Sequence, residues 1–217
     1  MGESTLLKKD LFGEVRHRPG PGGGTITRDT GPAPAWIRWF ARRLLRREAR
    51  VLAALGGIDG VPALIEVRVD GLARRFLPGR PLHEARPTEP AFFREALCLL
   101  RRLHAEDVVH NDLAKEPNIL VLASGRPAFI DFQVAWAPSR RGRLFRLLAY
   151  EDLRHLLKHK RTYCPHALSE RQLRILAAPS PPSRLYRRTV KPVYLFVTRR
   201  LLGWADREGA GDRGRLP

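Results

Sequence analysis

The chain has 217 residues and a formal net charge of +18, with apolar residues at 43% and charged residues at 29%. This length and composition fit one globular domain or two small lobes, and they exclude a largely disordered chain. Two cysteines exclude a disulfide framework, and the absence of any apolar run of roughly 20 residues excludes a transmembrane helix.

The N-terminal part of the chain predicts strands followed by a long helix. Residues 11–30 have the pattern of extended chain, interrupted by a turn rich in Pro and Gly at residues 18–24, and residues 25–27 predict a short strand. Over residues 35–55 apolar side chains recur at helical spacing, and six arginines fill most of the other positions. Glu48 falls on the apolar stripe of this helix, where a carboxylate needs a cationic or hydrogen-bonding partner.

The middle of the chain predicts a hairpin and a second helix. Residues 61–69 and 72–77 predict two strands joined at Asp70-Gly71. Residues 90–105 predict an amphipathic helix, and Cys98 in its apolar run is expected in the core. Two further strands and two further helices are predicted at residues 119–122, 128–132, 143–158 and 190–204.

The strongest signal for chemistry is the polar loop at residues 110–118, which contains Asp112, Lys115 and Asn118. A tight hairpin between the two strands that follow would bring Asn118 and Asp131 to the same end of the ladder. Amide and carboxylate oxygens are ligands that Mg²⁺ prefers, so this pair predicts a magnesium site. The alternative is that Asp and Asn only cap turns here, which both residue types favour.

The order of helix, acidic loop, hairpin and Asp131-Phe132 resembles the catalytic core of the protein kinase superfamily. The resemblance covers roughly residues 10–160 and is closest to small bacterial RIO-like and lipopolysaccharide-kinase-like kinases, which are often described as serine/threonine protein kinases. It implies an α+β, protein-kinase-like two-lobed fold with a reduced C-terminal lobe. Residues 1–79 would form the N-terminal lobe, and residues 80–217 a mainly helical lobe with a basic extension.

The resemblance also implies an enzyme that uses ATP and Mg²⁺ to phosphorylate a hydroxyl group. Asp112 matches the catalytic Asp, Asn118 and Asp131 match the two magnesium ligands, and His110 matches the structural His that opens the loop. Lys115 lies beside Asp112, where a cation could hold the transferring phosphate, although it could equally be a solvated loop charge.

Four further matches concern the nucleotide and one concerns the loop. Arg28 stands where a phosphate-binding lysine is expected, and Glu48 matches the helix carboxylate that positions it. Phe76 and Leu77 fall at the hinge between lobes, whose backbone would meet adenine. Asp152 resembles the Asp that braces the catalytic loop. The alternatives are surface roles, with Glu48 in i,i+4 pairs on a slightly rotated helix.

The sequence departs from the kinase pattern in several respects, which include the lack of an Ala-Pro-Glu motif and of a clean glycine-rich loop. Arg28 replaces lysine, Gln133 replaces the glycine after Asp131-Phe132, and the step from Asp112 to Asn118 is six residues, one longer than usual. These departures leave two other functions open. One is a pseudokinase-like module that binds nucleotide without turnover, and the other is a basic nucleic-acid-binding protein.

The positive charge predicts an anionic partner. The helix at residues 35–55 is rich in arginine, and residues 184–200 combine Arg and Lys with aromatic and aliphatic side chains. This mixture suits an anionic membrane surface, and it would also suit RNA, where aromatic rings stack on bases. Because no RNA-binding motif is recognisable, we expect peripheral contact with the inner face of a membrane rather than with RNA. The two cysteines predict a cytoplasmic protein. Its phosphoryl acceptor would be a protein Ser or Thr, or a sugar hydroxyl on a lipid-linked glycan.

Overall fold

A computed structural model describes residues 3–178 of the chain. The chain divides into two units, Met1–Ala167 and Leu168–Pro217, and of the second the structure describes residues 168–178. The predicted helix at residues 190–204 and the basic segment at residues 184–200 lie outside the described residues. The predicted lobe boundary between residues 79 and 80 stays a prediction.

The N-terminal part of the first unit is a five-stranded antiparallel sheet. Its strands, in the spatial order β1-β2-β3-β5-β4, are β1 (Thr5–Asp10), β2 (Gly13–Arg18), β3 (Thr25–Asp29), β4 (Leu64–Val67) and β5 (Gly71–Arg75). The predicted hairpin at Asp70-Gly71 is confirmed, because β4 and β5 pair as antiparallel neighbours. Strand β1 was not predicted from the sequence.

Helix α1 (Ala35–Ala54) confirms the long predicted helix. Pro34 precedes its first turn, and Gly56 and Gly57 follow its last, as expected where a helix must begin and end. The apolar stripe is buried, and its buried side chains are Ala41, Leu45, Glu48, Ala49, Val51 and Leu52. The helix contacts β4 and β5.

A second, three-stranded antiparallel sheet follows, together with three helices. The strands are β6 (Gly79–Pro81), β7 (Ile119–Leu122) and β8 (Pro127–Phe129), and the helices are α2 (Leu82–Ala85), α3 (Pro90–Ala105) and α4 (Arg143–Tyr163). Helix α3 packs against β8 and α4. The fold class is therefore α+β, as predicted. Strand β8 ends earlier than predicted, and α4 continues beyond residue 158 to Tyr163.

One core prediction is wrong. Cys98 is exposed, whereas Cys164 is fully buried. The apolar run of α3 is wider than the face that it buries, since Phe93, Leu97 and Leu100 turn inward and Cys98 does not.

In the second unit, the structure describes helix α5 (Glu170–Ala177), which begins with a capping box between Ser169 and Gln172. No helix within residues 3–178 is both long and apolar enough to cross a membrane.

Candidate functional site

The predicted loop at residues 110–118 connects α3 to β7, and its first residue is a buried histidine that holds the loop in place. His110 has no exposed surface, and its Nε2–H donates to the carbonyl of Ile130, 3.0 Å away. Burial lowers the pKa of His110, and the nearby charge of Asp152 only partly opposes the effect. The ring is therefore neutral, with its proton on Nε2, and it links the loop to the end of β8.

Asp152 fixes the backbone of the loop from helix α4. Its Oδ2 accepts the backbone N–H of His110 at 2.7 Å, and its Oδ1 accepts that of Asn111 at 2.9 Å. The carboxylate is almost completely buried. Asn111 has a φ of 63°, so the two hydrogen bonds stabilise a left-handed backbone conformation. The bracing contact predicted for Asp152 is present.

Three polar side chains of the loop form one cluster around Asp112. The amide nitrogen of Asn118 donates to the backbone carbonyl of Asp112 at 3.0 Å and to its Oδ2 at 2.8 Å. The Nζ of Lys115 lies 3.0 Å from the same Oδ2. Burial raises the pKa of Asp112, with a smaller contribution from the charge of Asp131, and Lys115 and Asn118 act against the rise.

Asp131 lies just beyond the end of β8, with a φ of 65°. Ile119 pairs with Phe129 across the hairpin, and the N–H of Ile130 donates to the carbonyl of Asn118 at 3.0 Å. Asn118 and Asp131 therefore lie at the same end of the ladder, as the hairpin predicted. The Oδ1 of Asp131 accepts a hydrogen bond of 2.8 Å from the amide of Gln133.

Arg28 and Arg74 help to keep Asp131 ionised. Burial raises the pKa of Asp131, but the positive charges of Arg28, Arg74 and Lys115 and the hydrogen bond from Gln133 together outweigh that effect. The pKa of this carboxyl consequently lies below its usual value. A partly buried carboxylate that is negative at neutral pH and faces cations is suited to an anionic ligand bound with a metal ion.

The same two arginines pair with Glu48, which is fully buried on α1. Their Nε atoms lie 3.8 Å (Arg28) and 3.4 Å (Arg74) from its carboxylate oxygens. In the β3–β5 register Arg28 is opposite Leu72, so Arg74 emerges on the same face of the sheet. The position of Glu48 and its contact with Arg28 agree with the sequence prediction. Arg74 was missed, although its spacing of two from the apolar Leu72 was a usable signal.

Glu48 makes these contacts without forming hydrogen bonds. Both carboxylate oxygens are buried and have no hydrogen-bond partner, because Arg28 is too distant at 3.8 Å and Arg74, at 3.4 Å, forms only a long ion pair without hydrogen-bond geometry. The arginines are only slightly exposed. Their guanidinium groups are therefore not held in bidentate pairs with Glu48, and they retain donors for an anion.

The predicted hinge joins β5 to β6. The N–H of Phe76 donates to the carbonyl of Gly24 at 3.0 Å, and its ring stacks on His17 with centroids 4.3 Å apart. This N–H is therefore already paired with the glycine-rich turn between β2 and β3. Gly24 has a φ of 95°, and a Cβ there would meet the carbonyl of Arg18 at 2.2 Å.

Helix α1 is also tied to the segment that follows Asp131. The guanidinium group of Arg47 donates to the carbonyls of Val134, at 3.1 Å, and Ala135. Because Arg47 is adjacent to Glu48, the helix that holds the arginine cluster is anchored to the segment that holds Asp131. The sequence did not reveal this contact.

The donor set at Asn118 and Asp131 fits magnesium. Within residues 3–178 no group of three or more His, Cys, Asp or Glu side chains could hold a metal ion. Mg²⁺ does not need such a cage, since it is usually bound through one or two protein oxygens together with water and substrate phosphates. The amide nitrogen of Asn118 is used by Asp112, which leaves the amide oxygen as its available ligand.

The structure thus brings Asp112, Lys115, Asn118 and Asp131 together and places Arg28 and Arg74 in electrostatic range of Asp131, while Glu48 pairs with both arginines. Phe76 and Leu77 lie on the connection between the two sheets. Neither a protein-family model nor a curated protein matches this chain.

Proposed function

We propose that this chain is a phosphotransferase with a protein-kinase-like, two-lobed fold that moves the γ-phosphoryl group of ATP to a hydroxyl acceptor. The observation that carries the proposal is the hydrogen bond from Asn118 to Asp112 beside Asp131, within one loop and hairpin. Phosphoryl transfer requires mainly positioning and charge stabilisation from the protein, and this cluster offers both.

Asp112 is the residue that receives the acceptor. Its carboxylate would orient the hydroxyl group and accept its proton as the hydroxyl oxygen bonds to the γ-phosphorus, while the bond from that phosphorus to the β–γ bridging oxygen breaks and ADP leaves. A pKa that is raised by burial makes this carboxylate a better proton acceptor than an exposed aspartate. Lys115 would bind a phosphate oxygen next to Asp112, where its ammonium offsets developing negative charge.

The phosphates of the nucleotide would be held by Arg28 and Arg74. Two arginines on neighbouring strands can replace the single lysine that the kinase pattern expects, because each guanidinium offers several donors in a fixed plane. Glu48 keeps both groups near Asp131 without consuming their donors in bidentate pairs. Asn118 and Asp131 would hold magnesium, which neutralises charge on the phosphates when it is bound.

The test is transfer of labelled phosphate from γ-labelled ATP with magnesium, followed both onto protein and into solution. Asp131→Asn removes the charged magnesium ligand with little change of volume and should abolish turnover. Asp59→Asn is the matched control, since Asp59 is strongly exposed and lies outside the site. Equal turnover in the wild type and in Asp131→Asn would overturn the proposal.

Two other results would identify different functions. Binding of magnesium-ATP without any turnover, also with candidate acceptors such as Ser/Thr proteins and lipid-linked glycans, would indicate a nucleotide-binding module. In that module the hydrogen bond from Gln133 to Asp131 would mark a site that has lost catalysis. Binding of RNA or DNA that weakens steeply with salt and is indifferent to Asp131→Asn would indicate a nucleic-acid-binding protein.

A further inference from the structure

Helix α1 carries a second surface that the proposed activity does not use. A groove of about 790 Å³ lies between α1 and β4, and none of its lining residues belongs to the site around Asp131. Its lining residues are Trp39, Arg42, Arg43, Arg46, Ala49, Arg50, Ala53, Leu64 and Val67. One wall is therefore cationic, and the rest of the lining is apolar.

The cationic wall is part of a continuous ridge on the outer face of α1. We call residues 36, 39, 43, 46 and 50 the outer ridge: they are two tryptophans followed by three arginines, spaced three or four apart and hence on one face. All five are exposed, with Trp36 at 62% and Trp39 at 66%. Exposed indole rings beside guanidinium groups are unusual on a surface that meets only water.

The arginines of the outer ridge are not neutralised within the described chain. Arg42, at the groove margin, pairs with Asp70. No carboxylate within residues 3–178 forms an ion pair with Arg43, Arg46 or Arg50. Residues 184–200 contain six basic and no acidic side chains, so neither this segment nor the same segment of a second copy complements the groove.

We infer that the outer ridge and its groove dock on a membrane surface containing anionic phospholipids. Arginine guanidinium groups pair with lipid phosphates, and tryptophan favours the boundary between headgroups and acyl chains. Leu64 and Val67 supply aliphatic contacts that suit acyl chains and that cannot stack on nucleobases. This combination favours a lipid surface over RNA, to which the arginines and tryptophans alone would be equally suited.

The inference is independent of phosphotransferase activity, because it concerns binding of the full chain to vesicles. Cosedimentation would compare vesicles of phosphatidylcholine with vesicles that also contain phosphatidylglycerol. The ridge variant reverses three charges: Arg43→Glu, Arg46→Glu and Arg50→Glu. The control variant reverses three exposed arginines elsewhere, Arg94→Glu, Arg101→Glu and Arg140→Glu, and so lowers the net charge by the same amount.

We expect binding only to the anionic vesicles, weakened on the order of 100-fold in the ridge variant and only a few-fold in the control variant. Residues 184–200 are unchanged in both variants, so the comparison isolates the ridge. Equal weakening in the two variants would overturn the inference, as would equal binding to phosphatidylcholine alone. Loss of RNA binding in the ridge variant, with vesicle binding intact, would overturn it in favour of nucleic acid.

A second measurement does not depend on how charge reversal affects folding. In the variant Trp136→Phe, Trp204→Phe, Trp36 and Trp39 are the only tryptophans, and excitation at the red edge of the tryptophan band selects them over the four tyrosines. Brominated anionic lipids should quench their emission, because the inference places both indoles at the acyl boundary. Absence of quenching at lipid concentrations that sediment the protein would show that another surface binds the vesicle.

Discussion

Arg74 on β5 lies with its Nε 3.4 Å from the carboxylate of Glu48 on α1, closer than Arg28, the arginine that the sequence predicted as partner. Glu48 is fully buried, so its charge depends on both arginines for stabilisation. The ion pair between Arg74 and Glu48 therefore contributes to the stability of the contact between the sheet and α1. Arg74 also contributes positive charge near Asp131.

Removal of Arg74 should destabilise the fold. Arg74→Ala leaves a buried carboxylate with only Arg28 nearby, and the free energy of unfolding should fall by on the order of 1–3 kcal/mol. Arg68→Ala is the control: Arg68 also pairs with a glutamate, Glu66, but it is 73% exposed and should change little. Urea unfolding of both variants makes the comparison, and equal effects would show that Glu48 does not depend on Arg74.

Arg74 should also contribute to nucleotide affinity if the proposed function holds. Arg28→Gln and Arg74→Gln should each weaken binding of magnesium-ATP by roughly 10-fold or more, because each removes charged hydrogen-bond donors to phosphate. Binding of adenosine, which has no phosphate, should be unchanged. Isothermal titration with both ligands measures the difference. A parallel loss for adenosine and ATP would indicate general damage to the pocket.

Asp152 should stabilise the backbone of the loop whether or not a substrate is bound. Asp152→Asn keeps the volume but replaces one acceptor oxygen with an NH₂ group that faces a backbone N–H of His110 or Asn111. The unfolding free energy should fall by about 1–3 kcal/mol. Hydrogen exchange at those two amides should accelerate more than exchange across β7 and β8. Uniform acceleration of exchange would mean that the two hydrogen bonds of Asp152 stabilise the whole fold rather than the loop alone.

The stability of the protein should decrease as pH falls from about 6.5 to about 4. Burial lowers the pKa of His155 to about 4, and the positive charge of Lys158 adds to the effect. The unfolded chain therefore binds more protons than the folded one in this window, so that stability rises with pH across it, by up to about 3 kcal/mol. Burial lowers the pKa of His110 as well, which gives the same sign.

Urea unfolding at several pH values would measure this dependence in the wild type and in His155→Gln. The neutral side chain should flatten the curve between pH 6.5 and 4. The low pKa of Asp131 affects stability at lower pH, because the stabilising charge of this carboxylate is lost only as pH falls below the usual aspartate range. An unchanged slope in His155→Gln would show that other groups control the dependence.

The sequence predicted those parts of the site that are close together along the chain. The loop, the hairpin and Asp131 span few residues, so that their patterns determine their geometry. Helices α1 and α3 follow their apolar periodicity closely. Strand β1 escaped prediction because five of its six residues are exposed and its apolar residues, Leu6 and Leu7, are adjacent rather than alternating.

Contacts between segments that are far apart in the sequence could not be predicted from local sequence patterns. Arg74 is followed by Arg75, and a pair of arginines at the end of a strand has the pattern of a solvated edge. The spacing of two from Leu72 places Arg74 on the same face of β5 as an apolar residue, but only the strand register and the packing of α1 bring it next to Arg28 and Glu48. The contact of Arg47 with Val134 and Ala135 likewise depends on how α1 packs against a segment almost ninety residues later.

The left-handed backbone conformation at Asn111 and Asp131 limits which amino acids are tolerated at these two positions. Asparagine, aspartate and glycine adopt this conformation readily, whereas β-branched side chains rarely do. The side-chain amide of Asn111 donates a hydrogen bond to the backbone carbonyl of Val134. The site is exposed, and most exposed positions accept many substitutions. Among descendants of this sequence, position 111 should therefore vary mainly among asparagine, aspartate and glycine.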